Sequence, residues 1–140
     1  MSHALMTQEG GNHYKAMGMQ PVEFCAVNRY DPTAFSALKY VSRHHVKNGR
    51  EDLLKGRHFI RLRRDLRRDH PSLYGFKALD VIPVSEYTQA NNISGLEASI
   101  LIDLHVWALG QLTLSESVIA DLIIQKFDCL IDMMYPQKEK

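Results

Sequence analysis

The sequence predicts a mostly α fold: a small helical bundle built on an antiparallel helical hairpin, with one irregular or short-strand crossing segment. Three observations carry this expectation. Apolar residues recur at helical spacing around 33–47, 50–69, 94–109 and 115–134. Between these stretches the chain is punctuated by Asp31-Pro32, Asn48-Gly49, His70-Pro71, Asn91-Asn92 and Ser115. The chain has 140 residues, 45% apolar and 24% charged, which is the size and composition of one ordinary globular domain.

Each element has its own reason. Residues 1–11 are polar, end in Gly10-Gly11, and read as a flexible N-terminal arm. Residues 12–140 read as a single helical domain. It comprises a basic half (12–70), an irregular connection (71–92) and an apolar, acidic helical pair (93–135). Pro21 suits the first turn of a short helix through about Asn28, with Glu23 near its positive end. Asp31-Pro32 starts a second helix, about Thr33 to Lys47, whose stripe is Ala34, Phe35, Leu38 and Val41. Asn48-Gly49 ends it. A third helix runs from about Arg50 to Asp69, with Glu51 and Asp52 in its first turn and Leu53, Phe59, Ile60, Leu62 and Leu66 as its apolar positions. His70-Pro71 stops it. The short turn between the second and third helices predicts that they pack as a hairpin.

From Ser72 to Tyr87 the pattern turns extended or loop-like, and Pro83 excludes a central strand. A fourth helix follows, about Ser94 to Leu109, apolar around nearly its whole circumference. Such a helix must be deeply covered, at the domain centre or at a subunit interface. A homo-oligomer through 93–135 is therefore expected. Ser115 caps a fifth helix through about Met134, with Val118, Leu122, Phe127, Leu130 and Ile131 expected to bury.

Charge is divided unevenly along the chain. Between Arg43 and Asp69 ten Lys/Arg face four acids; between Asp80 and Tyr135 eight acids face one base, Lys126. The split fits a polyanion partner for the first half, or two halves that face each other within or between subunits. Cys25 and Cys129 form no CxxC pair, so a disulfide framework and a four-ligand zinc site are not expected. No basic n-region precedes an apolar run at the N-terminus, and the longest apolar stretch is too short to span a bilayer, so a soluble protein with no membrane partner is expected.

Lys39, Arg43 and Lys47 stand at i, i+4 and i+8, which on one helix aligns three cations over about 12 Å. Like charges at that spacing oppose helix formation, and a phosphate bound across them offsets the cost. His44 and His45 are adjacent, with His58, Glu51 and Asp52 nearby. Adjacent histidines point to different faces of a helix and no HExxH is present, so a transition-metal site is not expected. A weak Mg²⁺ site at Asp52, shared with substrate phosphates, fits the chemistry of that ion better. The chain has no GxxxxGK[ST] or GxGxxG, so phosphate binding must rest on side-chain cations. The arginine run from Arg57 to Arg68 raises nucleic-acid binding as a third reading.

Asn12-His13-Tyr14-Lys15, Pro21-x-Glu23, Lys39-Tyr40-Val41-Ser42-Arg43 and Lys47-Asn48-Gly49-Arg50-Glu51-Asp52-Leu53-Leu54-Lys55 together resemble domain of unknown function 3310. This is a small phage domain also found in the bacteriophage T7 nucleotide kinase. The resemblance covers about residues 12–62. Gly56 stands where the family favours alanine, and Phe59 where it favours tyrosine. The resemblance implies a phage protein in the cytoplasm of the infected bacterial host, handling a nucleotide or other phosphorylated small molecule. The first expectation is a deoxynucleoside monophosphate kinase-like protein, with ATP as co-substrate and Mg²⁺ as cofactor. In it His13, Tyr14, Lys39, Tyr40, Arg43, Lys47 and Lys55 would bind substrate, with Arg43 and Asp52 catalytic. The alternative is a non-catalytic nucleotide-binding protein that sequesters its ligand, as an anti-defence protein would.

Overall fold

The computed structural model describes residues 4–7, 17–71, 77–111 and 114–137. Among these the chain forms six α-helices and no strand: α1 (Pro21–Val27), α2 (Pro32–Arg43), α3 (Arg50–Asp69), α4 (Val84–Ala90), α5 (Gly95–Leu109) and α6 (Glu116–Met134). Of the arm expected over 1–11, the described part is Ala4–Thr7. Ala4–Met6 make a 3₁₀ turn, and the Leu5 carbonyl accepts a hydrogen bond from Gln20 Nε2.

Capping chemistry sets the helix ends. Pro21 occupies the first turn of α1, where its missing N–H costs nothing. At α2 the Asp31 side chain accepts from Thr33 N at 2.8 Å and Ala34 N at 3.1 Å. The same carboxylate pairs with the buried guanidinium of Arg63 on α3, which lies over the Trp107 ring. Gly49, with φ 56°, makes the turn into α3, and Gly110, with φ 70°, ends α5 in the left-handed conformation. Ser115 caps α6 through Val118 N.

The core gathers apolar faces from α1, α2, α3, α5 and α6. Phe24, Leu38, Val41, Leu53, Ile60, Ile100, Leu101, Leu104, Trp107, Ile123 and Phe127 are essentially inaccessible to solvent. Each contributes about 1.5–3 kcal/mol by its removal from water. Along α2 and α3, Arg43 meets Asp52, Tyr40 lies beside Phe59, and Asp31 meets Arg63, so the contacts run in opposite order along the two helices. The apolar girth of α5 is mostly met inside the chain, against α2, α4 and α6; Ile102 remains exposed.

Three elements depart from the sequence reading. First, the connection expected to be irregular over 71–92 contains α4. Pro83, in an extended conformation, leads into it, Glu86 sits in its first turn, and Tyr87 anchors it by a 2.7 Å hydrogen bond to Ser42 on α2. Seven residues are too few to show a helical period. The non-helical part, 77–83, is held by side chains. The Asn28 carboxamide accepts from Val81 N and Ile82 N and donates to the Ile82 carbonyl, so no strand is needed to satisfy that backbone. Tyr74-Gly75-Phe76, part of the expected extended stretch, lies outside the described residues.

Second, α2 stops at Arg43, and His44–Val46 continue as a 3₁₀ turn. Third, the first turns of α6 bury a different stripe from the expected one, while Phe127, Leu130 and Ile131 are buried as expected. Ile119, Ala120 and Ile123 are buried, whereas Val118 and Leu122 are 44% and 38% exposed. Apolar residues at 118–120 and 122–124 offer two overlapping stripes. The stripe adopted lets Glu116 reach Arg67 and Trp107, and Asp128 reach Arg57.

Those contacts also resolve the charge split. Arg57, Arg64 and Arg67 of α3 pair with Asp128, Asp121 and Glu116 of α6. The basic and acidic halves face each other within one chain. Among the described residues, no helix is long and apolar enough to cross a membrane.

Candidate functional site

The polar residues singled out in the sequence converge where α2 ends and α3 begins. Asp52, in the first turn of α3, is fully buried and faces the C-terminal end of α2. Its carboxylate accepts from Arg43 Nε at 3.2 Å, Arg43 Nη2 at 3.3 Å and Asn48 N at 3.3 Å. The fork of Arg43 is thereby fixed, its side chain 11% exposed. With three donors on it, Asp52 is the partner that orients Arg43. It is not an open carboxylate, and this arrangement does not fit a Mg²⁺ ligand: a cation there would have to displace the guanidinium.

Tyr40 is the centre of the cluster. Lys39 Nζ and Arg43 Cζ each lie 4.7 Å from its ring centroid, and Lys55 Nζ lies 5.9 Å away. Phe59 also lies against Tyr40, with ring centroids 6.1 Å apart and planes 22° from parallel. Cations at such distances are drawn to a ring face by about 0.5–1 kcal/mol each in exposed settings, which partly offsets their mutual repulsion. The repulsion is visible at Lys39. Partial burial pushes its ammonium below the ordinary lysine value, Arg43, Lys47 and Lys55 push the same way, and Asp52 opposes them. Lys55 also reaches Glu51 at 3.2 Å, one turn away.

The straight row of Lys39, Arg43 and Lys47 expected from spacing is not one helix face, because α2 ends at Arg43. Lys47 instead closes the 3₁₀ turn and is exposed. Lys55 enters from α3 and joins the cluster through Tyr40. His13 and Tyr14 lie outside the described residues.

Space adjoins the cations. Lys39 lines a cleft of about 70 Å³ with Gln20, Pro21, Val22 and Phe35. Val22 and Phe35 also wall a more open recess of about 280 Å³ with Cys25, Ala26, Tyr30 and Pro32. This recess is apolar, and burial pushes the Cys25 thiol and the Tyr30 phenol far up, so both stay neutral. The arrangement offers positive charge beside an apolar slot.

Sequence reasoning missed a second polar group, at the residue that follows Arg43. His44 is buried, with Nδ1 2.7 Å from the Tyr135 hydroxyl and Nε2 2.9 Å from Glu97 on α5. Nothing in the spacing of residues 44, 97 and 135 signals this meeting.

Gly56 has a local explanation. A Cβ at that position would lie 2.9 Å from Phe127 Cε1 and 3.4 Å from Tyr40 Cβ. Phe127 of α6 fills the room that a methyl group would take.

No curated protein and no solved structure matches the chain. Residues 8–61 match the family model described as protein of unknown function (DUF3310), a stretch that contains α1, α2, the 3₁₀ turn and the first twelve residues of α3; this part of the chain resembles that domain.

Proposed function

We propose that the protein binds a nucleotide, or a phosphorylated small molecule of that size, on the antiparallel α2–α3 hairpin. The observation that carries the reading is the convergence of Lys39, Arg43 and Lys55 on the Tyr40 ring, with Lys47 beside them. Like charges are held together there before any ligand arrives, and a phosphate relieves their repulsion. Arg43, held in place by Asp52, contributes its charge to the cluster without losing rotamer freedom on binding. The apolar recess past Phe35 accommodates the uncharged part of the ligand.

The geometry favours retention over turnover. Within the described cluster Asp52 is buried and engaged by Arg43, so it does not stand open as a general base or metal ligand. The deoxynucleoside monophosphate kinase implied by the resemblance needs the same clamp together with ATP and Mg²⁺. Incubation with Mg-ATP and each deoxynucleoside monophosphate, followed by anion-exchange separation, decides between them. Unchanged nucleotide retained by the protein supports sequestration; new diphosphate in proportion to protein supports the kinase. The nucleic-acid reading loses support, because Arg57, Arg64 and Arg67 face carboxylates of α6.

A homo-oligomer through 93–135 is supported by exposed Ile102 on α5 and by Val118, Leu122 and Met133 on α6. Light scattering at micromolar concentration tests it, and a monomeric mass rejects it.

A further inference from the structure

We propose that His44, His45 and Glu97 bind a divalent first-row transition metal, with Zn²⁺ the ion best suited to the donor set. The proposal does not rest on the nucleotide reading. One ligand atom from each of the three residues lies within 4.8 Å of the others, and His44 Nε2 is already 2.9 Å from Glu97 Oε2. Tetrahedral zinc with bonds of about 2.0–2.1 Å holds neighbouring ligand atoms about 3.3 Å apart. The exposed His45 ring has the freedom to close the remaining gap.

The 3₁₀ turn makes this geometry. In an α-helix the two histidines would diverge. Over His44–Val46 their rings lie 5.5 Å apart, nearly perpendicular, and α5 brings Glu97 to the same point. The outer support is also present. The Tyr135 hydroxyl, 2.7 Å from His44 Nδ1, fixes the ring and takes its remaining N–H when Nε2 is metallated. On binding, the ion takes the place of the hydrogen bond between His44 Nε2 and Glu97, and the one N–H of the neutral ring then sits on Nδ1, where the Tyr135 oxygen accepts it. His45 also lines a cavity of about 210 Å³ with Ser42, Asn91 and Asn92, which leaves room for water to complete the coordination.

The test titrates the full chain with ZnCl₂ by calorimetry and with CoCl₂ by visible absorption. The expected result is one ion per chain with micromolar or tighter affinity and the absorption of four- or five-coordinate cobalt. His45→Ala and Glu97→Gln, whose side chains are not fully buried, should each weaken binding at least about tenfold while thermal unfolding shows an intact fold. Tyr135→Phe should weaken it about tenfold through the ring of His44. His58→Ala, on an exposed histidine of α3, should leave affinity unchanged. Absence of saturable binding below millimolar metal overturns the proposal and leaves His44 as a hydrogen-bonded bridge between Tyr135 and Glu97. Binding of equal strength in His45→Ala and Glu97→Gln also overturns it, and a thiolate charge-transfer band would then assign the ion to Cys129.

Discussion

Asp52→Asn removes one charge from the platform and leaves its shape almost unchanged. In the native protein the carboxylate is wholly buried and takes three hydrogen bonds, two from Arg43 and one from Asn48 N. The substitution removes the Asp52 charge from beside Arg43, which is largely desolvated and shares the Tyr40 ring with Lys39 and Lys55. Breaking a buried pair by removing one partner costs about 3–5 kcal/mol. Unfolding entropy is about 2.1 cal/mol/K per residue, or about 0.29 kcal/mol/K for a chain of this length, so Tm should fall by about 10–17 °C. Urea unfolding should show the same loss in midpoint with an unchanged slope. Arg43→Met should be similarly costly, because it leaves the carboxylate uncompensated. The double variant should be less destabilised than the two single losses together. A loss under 1 kcal/mol for Asp52→Asn, or strict additivity in the cycle, would refute the claim that this pair fixes the end of α2 against α3.

Further outcomes follow from the same structure. Gly56→Ala should destabilise by about 1 kcal/mol, because overpacking against Phe127 at about 1–3 kcal/mol exceeds the helix-propensity gain of about 1 kcal/mol. Adding Phe127→Leu should make the alanine neutral or favourable, and a stabilised single variant in urea contradicts the packing argument. For Asp31, burial raises the carboxyl pKa, but Arg63, Thr33 and Ala34 N outweigh it and hold the group below its ordinary value. Its contribution is therefore fully present above the unfolded carboxyl pKa of about 4 and is lost as pH falls below that value. Stability between pH 6 and pH 3 should fall less steeply in Asp31→Asn, and parallel curves would contradict this. Reversal at Lys39 is the cleaner probe of the clamp than Arg43→Glu, since the latter sets a second carboxylate against buried Asp52.

Much of the fold was legible because its boundaries carry local chemistry. Pro21, Asp31-Pro32, Asn48-Gly49, His70-Pro71 and Ser115 each stop or start a helix for reasons confined to a few residues, and, the end of α2 apart, the observed bounds lie close to the expected ones. α4 was not legible, because seven residues hold under two turns of period. The face of the first turns of α6 was not legible either, although Phe127, Leu130 and Ile131 are buried as expected. Its apolar residues allow two stripes, and the choice between them depends on Arg57 and Arg67, more than 40 positions away.

The site divides in the same way. Lys39, Tyr40, Arg43, Asp52 and Lys55 follow one another within two helices joined by a short turn, and the structure brings them together. The straight three-cation row failed because spacing alone does not show where an α-helix tightens into 3₁₀. Asn28, which holds the 77–83 segment, and the meeting of His44 with Glu97 and Tyr135 depend on contacts across 53 or more positions. No local pattern encodes them.

The most direct test of the central claim is equilibrium dialysis of the full chain against a panel of labelled deoxynucleoside mono-, di- and triphosphates, with wild type and Lys39→Glu in parallel. Wild type should retain at least one nucleotide well below millimolar concentration, with affinity that falls as salt rises, and folded Lys39→Glu should retain it at least about tenfold more weakly, the equivalent of about 1.4 kcal/mol. A folded wild-type protein that retains no nucleotide at millimolar concentration, or one whose binding ignores Lys39→Glu, would contradict the account.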